Sequence, residues 1–312
     1  MQTMNECVQA LKGHDRFVIL THIRPDGDTL CSAAALCSAL RRLGKQAALY
    51  RNPGVTERYQ PMVEPYLGES DPGAYVVSVD VADVTMFPPG WEGNVDLVID
   101  HHPANPGFGA INHVDGSKAS CGEIVMALIL TLCGDLTKEE ANLLYVAVST
   151  DSGCFCYGNT KAETLRAAAQ LIDCGAENAK LNKQFFRSDS FARLKLEGMV
   201  YAELQSFRDH KINVAVITRE MMETSGADEG DCDDLASLPG RVRGNVVGIT
   251  IRELAEDECK VSLRTNDQVD AAAVCARFVG GGHKMAAGCT LNTSPDIAAL
   301  LMLSVINEIW PE

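Results

Sequence analysis

Short apolar runs alternate with longer, helix-spaced stretches through the first half of the chain. Phe17–Leu20, Gln46–Arg51, Tyr75–Val79 and Asp96–Ile99 have the length and apolar content of buried strands. Apolar positions recur at helical spacing over Thr29–Leu43, Ile124–Cys133, Thr137–Ser149 and Lys161–Cys174. The alternation predicts an α/β fold, a parallel sheet with helices on both faces. Ser120 and Glu123 have capping-box spacing ahead of one helix, and Gly175 stands where a left-handed cap would end another. The Thr29–Leu43 segment is rich in Ala, Ser and Cys, small enough for close packing on the sheet.

From Ala179 to Phe207 the pattern stays helical but gains charge, which predicts helices that close the first domain and bridge to a second. Lys211–Thr218, Val242–Glu253 and Glu258–Thr265 are β-rich. A helix over Val269–Phe278, a glycine run, a strand over Ala287–Asn292 and a helix over Pro295–Ile309 complete a smaller α+β domain. The acidic stretch Ala227–Asp234 lacks the spacing of a calcium loop and is read as a solvated loop, with Asp231 or Asp233 capping a helix.

Composition narrows the class. A chain of 312 residues with 46% apolar content can fill two cores. Its longest strongly apolar run, Ile124–Cys133, is too short to span a bilayer, and Met1–Arg16 lacks the basic-then-apolar pattern of an export signal. A cytoplasmic protein with no membrane partner is expected. The twelve cysteines contain no C-x-x-C pair, Cys154-x-Cys156 being the nearest approach, so free thiols packed as small hydrophobes are expected rather than disulfides or zinc sites. A net charge of −15 disfavours a basic grip on long nucleic acid and leaves room for a short anion held through cations.

Candidate chemistry gathers where apolar runs end. Thr21-His22-Ile23-Arg24-Pro25-Asp26-Gly27-Asp28 leaves the first strand; Asp80 ends the third; Asp100, followed by His101 and His102, ends the fourth; Asp151 follows an apolar helix. For Asp26 and Asp28 alone, a turn and a helix cap are the plain alternative. Strand exits of a parallel sheet share one edge, so all these groups can meet in one cleft. That much negative charge needs cations, and imidazole with carboxylate suits Mn, Fe or Zn.

His-x-x-x-Asp-x-Asp, the strand-ending Asp80, Asp100-His101-His102 and Thr150-Asp151-Ser152-Gly153 resemble the four motifs of the DHH phosphoesterases. Gly280-Gly281-Gly282-His283-Lys284-Met285-Ala286-Ala287-Gly288 resembles the glycine-rich motif of their DHH-associated C-terminal domain. The likeness runs in order over nearly the whole chain. Size and C-terminal motif resemble the branch of bacterial oligoribonucleases that also dephosphorylate 3′-phosphoadenosine 5′-phosphate, whose members cleave dinucleotides such as pApA.

The resemblance implies a DHH metal-binding catalytic domain over 1–185, a helical linker over 186–207 and a substrate-binding domain over 208–312. It implies two divalent ions, Mn²⁺ foremost: one held by His22, Asp26 and Asp80, the other by Asp28, Asp80, His101 and Asp151, with Asp80 shared. Asp100 would orient a neighbouring imidazole. His102 would face the substrate, steadying phosphoryl oxygens or protonating the leaving group. Arg264, Gly280, Gly281, Gly282 and His283 would contact substrate, with Lys284 a further donor. Cys121 and Cys156 depart from the family pattern, the second where many relatives carry a basic residue. A homodimer is compatible with these features and nothing in the sequence requires it.

Three other activities share part of this pattern. Manganese-dependent pyrophosphatases share the N-terminal motifs, but their basic Ser-Arg-Lys-Lys-type segment is missing here. Single-strand DNA exonucleases of the family carry extra strand-gripping domains for which this chain has no room. A nucleotide-binding protein without catalysis is disfavoured because every ligand position is filled.

Overall fold

The computed structural model describes residues 4–69, 71–232 and 235–311; Asp233 lies outside them. The chain divides after Ser188 into two compact units.

The first unit is built on β1 (Arg16–Leu20), β2 (Gln46–Tyr50), β3 (Leu67–Gly68), β4 (Tyr75–Val79), β5 (Leu97–Asp100) and β6 (Ile111–Val114). All pairings are parallel and the spatial order is β3-β2-β1-β4-β5-β6. The chain winds outward from β1 to β3, returns to lay β4 beside β1, and continues to β6. Strand order therefore reverses between β1 and β4, where open α/β sheets form a crevice beyond the carboxyl ends. The short β3 and the half-buried β6 lack the apolar runs that mark the other four, and the sequence pattern passes over both.

The helices are α1 (Met4–Gly13), α2 (Gly27–Arg42), α3 (Gln60–Val63), α4 (Cys121–Cys133), α5 (Lys138–Asp151), α6 (Ala162–Asp173) and α7 (Asn178–Phe186). Ser120 and Thr137 cap α4 and α5 by accepting the N–H groups of Glu123 and Glu140. Gly175, φ +97°, follows α6 in the left-handed conformation. The sheet's Phe17, Ile19, Val77, Leu97 and Ile99 share one core with Leu36, Leu40, Ile129 and Leu144 of the helices. The alternate residues Val18, Leu20, Val76 and Val98 face the other way, under Tyr50, Phe87, Trp91 and Phe108. The expected helices on both faces are thus corrected: among the described residues this second face is covered by aromatic side chains, not α-helix. The covering segment contains Phe87-Pro88-Pro89-Gly90, which cannot continue a helix yet delivers large rings.

The second unit holds α8 (Phe191–Ala202), β7 (Gln205–Phe207), β8 (Ile212–Ile217), α9 (Arg219–Ser225), β9 (Val247–Ala255), β10 (Glu258–Thr265), α10 (Ala271–Ala276), β11 (Gly281–His283), β12 (Ala286–Leu291) and α11 (Pro295–Ile309). Its mixed sheet has the order β11-β12-β10-β9-β8-β7, with β8 and β9 parallel and the rest antiparallel. α10 and α11 pack on one face through Val274, Ala298, Met302 and Ile306. α8, read from the sequence as part of a bridge, belongs to this unit: Leu196 and Val200 are buried with Ala215, Ile217 and Met221. Val242–Val246, expected as strand, precede β9 as a turn and approach to it. Among the described residues no helix is long and apolar enough to cross a membrane. All twelve cysteines are free thiols.

Candidate metal centre

Each candidate side chain in the first unit is fixed by the element that delivers it. Beyond β1, His22 is buried and Asp26 caps α2, accepting the N–H groups of Asp28 (3.0 Å) and Thr29 (3.1 Å). The cap is therefore Asp26 and not Asp28, to which the plain reading gave it. Asp28, in the first turn of α2, points inward instead. It accepts the Cys121 N–H at 2.6 Å, the Gly122 N–H at 2.9 Å and the Ser32 hydroxyl at 2.9 Å. The two N–H groups open α4, where the helix dipole favours a carboxylate.

Asp80 follows β4 with φ +61°, a left-handed conformation that Asp tolerates better than most residues. Its N–H donates to the Ile99 carbonyl at 2.9 Å, tying it to β5. Asp100 ends β5 fully buried. Its Oδ1 accepts the N–H groups of His101 (2.8 Å) and His102 (3.2 Å) and meets His102 Nδ1 at 2.8 Å, so the imidazole it orients is His102, whose Nε2 is left for other work. Asn105 Nδ2 donates to the other oxygen of Asp100 at 2.6 Å. Asp151 is the last residue of α5.

These elements bring eight predicted residues together. His22 Nε2 lies 3.6 Å from Asp26 Oδ1 and 3.9 Å from Asp80 Oδ2. His101 Nε2 lies 3.4 Å from Asp80 Oδ1, 3.7 Å from Asp151 Oδ2 and 3.9 Å from Asp28 Oδ2. Three overlapping groups have donor atoms within 4.8 Å of one another: His22, Asp26 and Asp80; Asp28, His101 and Asp151; Asp80, His101 and His102. These separations are mostly too long for hydrogen bonds. Two ligands at about 2.1 Å from one ion sit roughly 3–3.5 Å apart, so the edges suit a shared cation better than direct contact. Asp80 Oδ1 is buried and accepts no hydrogen bond, a costly state unless a cation completes it. Oxygen and imidazole donors with no thiolate suit a hard to borderline divalent ion.

The electrostatics agree. Burial, then repulsion from Asp26, Asp100 and Asp151, pushes the Asp80 carboxyl far above the ordinary range. Burial, then Asp80 and Asp151, does the same to Asp28. Burial raises Asp151 to about 6. Asp26 and Asp100 move the other way: burial opposes ionisation, but His22 and two N–H groups hold Asp26 down, and His102 with Asn105 holds Asp100 down. Burial opposes the His101 cation, yet Asp28, Asp151 and Asp100 draw its pKa upward. Cys121 sits beside the acids with its thiol driven far up by burial and by Asp28 and Asp80, which keeps it protonated and unfit as a nucleophile. Its N–H, not its thiol, serves the site. The sequence contained the capping-box start of α4 but no hint that this helix end grips Asp28.

The remaining candidates lie in the second unit. Arg264 is exposed on β10, across from Gly248 and Ala286, with Nη1 donating to the Leu263 carbonyl at 3.1 Å. Gly281, Gly282 and His283 form β11, the exposed edge strand, and Lys284 follows it. The glycine run is first a packing requirement. A Cβ on Gly280 would stand 2.4 Å from the Gly288 carbonyl oxygen, and Gly282, φ +143°, would place one 2.5 Å from that of Ala286. Gly281 meets nothing within 4 Å. Gly280→Ala and Gly282→Ala should each cost about 2 kcal/mol or more, and Gly281→Ala less than about 1 kcal/mol. Urea unfolding of the three variants checks this; equal losses would refute it.

Residues 16–148 match the DHH family, N-terminal domain, and residues 209–309 match the DHHA1 domain. The chain is 37% identical over 298 residues to the bifunctional oligoribonuclease and PAP phosphatase NrnA of Thermus thermophilus, covering 93% of this chain and 88% of that one. It is 24% identical over 296 residues to the protein of the same name from Bacillus subtilis, covering 92% of each. The fold superposes on the crystal structure of an exopolyphosphatase-related protein from Bacteroides fragilis with a TM-score of 0.89, covering 98% of this chain and 95% of that one at 21% identity, a likeness of fold. With these matches laid over its strand-exit cluster of acids and imidazoles, the chain belongs to the DHH family, metal-dependent phosphoesterases, and carries a C-terminal DHHA1 domain.

Proposed function

We propose that this chain hydrolyses phosphoester bonds in short nucleotides, both oligoribonucleotides such as pApA and 3′-phosphoadenosine 5′-phosphate, with two Mn²⁺ ions. The observation that carries the reading is the buried, unpartnered Asp80 oxygen at the overlap of the donor groups. His22, Asp26 and Asp80 would hold one ion; Asp28, Asp80, His101 and Asp151 the other. Such ions supply Lewis acidity and an activated water near neutral pH.

The chain's own groups do the rest. Asp100, held ionised by its donors, fixes His102 Nδ1, so that Nε2 is presented to a phosphoryl oxygen or a leaving oxygen. Asp26 and the start of α4 keep the ligand loop rigid. No cysteine or serine acts as nucleophile. Arg264 and the β11 edge with Gly280, Gly281, Gly282 and His283 are assigned to substrate phosphate or base, since a guanidinium fork and an unpaired strand edge both suit an anion. Catalytic and substrate-binding roles thus go to the first and second units. The free thiols suit a cytoplasmic setting. A homodimer is compatible with this reading but not required by it, because every assigned group comes from one chain.

A Mn²⁺-supplemented panel tests it: pApA, pGpG, a five-nucleotide RNA, a long RNA, single-stranded DNA, 3′-phosphoadenosine 5′-phosphate and pyrophosphate. The dinucleotides, the short RNA and the bisphosphate should be hydrolysed at least about tenfold faster than the long RNA, the single-stranded DNA and pyrophosphate. Preference for pyrophosphate or DNA would replace this reading with a rival, and binding of pApA without release of AMP would leave only a nucleotide-binding protein.

A further inference from the structure

The tripeptide Asn-Pro-Gly occurs twice, as Asn52-Pro53-Gly54 and as Asn105-Pro106-Gly107. The first follows β2 and the second follows β5, the strands that flank the central pair β1 and β4 on either side. The two turns are built alike. Asn52 Oδ1 accepts the Gly54 N–H at 2.9 Å, and Asn105 Oδ1 accepts the Gly107 N–H at 2.8 Å. This Asx turn fixes which end of each amide is oxygen, since a flipped amide would set N–H against N–H.

The amide nitrogens are thereby aimed at the exit of the neighbouring central strand. Asn52 Nδ2 donates to the His22 carbonyl at 2.7 Å and to the Thr21 hydroxyl at 3.1 Å. Asn105 Nδ2 donates to the Val81 carbonyl at 3.0 Å and to Asp100 Oδ2 at 2.6 Å. His22 is a candidate ligand and Val81 directly follows another, Asp80. The two central exits therefore each receive one amide from an outer strand.

We propose that Asn52 and Asn105 are a matched pair of positioning residues that lock the β1 and β4 exits at the spacing a pair of cations requires. The assignment rests on reading the cluster as a metal centre. The two differ in one respect. Asn52 touches only the loop of a ligand, whereas Asn105 also braces Asp100 and, through it, His102. Asn52 therefore governs ion affinity, and Asn105 governs ion affinity together with the orientation of the group that faces substrate.

The test uses Asn52→Asp and Asn105→Asp, which keep shape and the oxygen that closes the turn but remove the inward donor. Asn52→Ser and Asn105→Ser serve where an added charge prevents folding, judged by circular dichroism. Asn112→Asp is the control, because the Asn112 side chain closes a turn with Gly109. Mn²⁺ uptake by the metal-free proteins is followed by electron paramagnetic resonance and calorimetry. Both positions should weaken one or both ions by about 10–100-fold, with Asn112→Asp unchanged. With pApA as substrate, excess Mn²⁺ should restore kcat in the Asn52 variants but not in the Asn105 variants. Two ions bound at wild-type affinity in both variants would overturn the pairing alone; a wild-type chain that takes up no Mn²⁺ would overturn the metal centre and the pairing with it.

Discussion

Asp80→Asn should lower kcat by at least about 10³-fold while leaving the fold intact. The asymmetry has a physical source. Asn fits the left-handed backbone at this position as well as Asp does, and it keeps the N–H that joins β4's exit to Ile99. What it loses is charge at the point where the donor groups overlap. Both ions would lose a shared anion at once, so the variant should bind fewer than two Mn²⁺ per chain. Its metal-free stability should rise, because a buried carboxylate repelled by three others has been neutralised. Turnover, Mn²⁺ stoichiometry and thermal unfolding measured together check all three; turnover near wild type would remove Asp80 from the centre of the mechanism.

The metal-free protein should become less stable as pH rises through about 6, and Mn²⁺ should reverse the loss. Burial holds the Asp151 carboxyl at about 6, against an unperturbed 3.8, and Asp28 and Asp80 are raised further by the same cause and by their neighbours. A carboxyl raised in the folded state binds its proton more tightly folded than unfolded. Its contribution is therefore full below the unfolded value and disappears as pH climbs through the folded one. Asp151 is part-exposed, so its share is discounted to about 1–2 kcal/mol. Asp26 and Asp100, whose carboxyls are lowered, act with the opposite sign. A comparison with Asp151→Asn cancels them. The stability advantage of Asp151→Asn over the metal-free wild type should grow between about pH 5 and about pH 8, by about 3–6 °C in Tm. Added Mn²⁺ should invert the order at neutral pH. An advantage that stays flat across that range would refute the raised carboxyl.

Much of the candidate cluster is legible in the sequence. Acids and imidazoles that end apolar runs announce themselves, because a parallel sheet gathers strand exits on one edge whatever the rest of the chain does. Apolar spacing made Tyr75–Val79, Glu258–Thr265 and Pro295–Ile309 readable to the residue. The strands β3, β6 and β11 were not readable, being short, half-buried or glycine-rich, and their pairing comes from neighbours rather than from their own pattern.

The sequence by itself determined which chemical groups are present and which elements carry them. Periodicity and motif spacing are local quantities, and they survive in a string. Only the tertiary structure decided that Asp26 caps α2 while Asp28 turns to an N–H 93 residues away, that rings rather than helices cover one sheet face, and that two distant asparagines reach the same pair of strand exits. Those outcomes depend on hydrogen-bond partners and buried surfaces that exist only once β1 and β4 lie side by side.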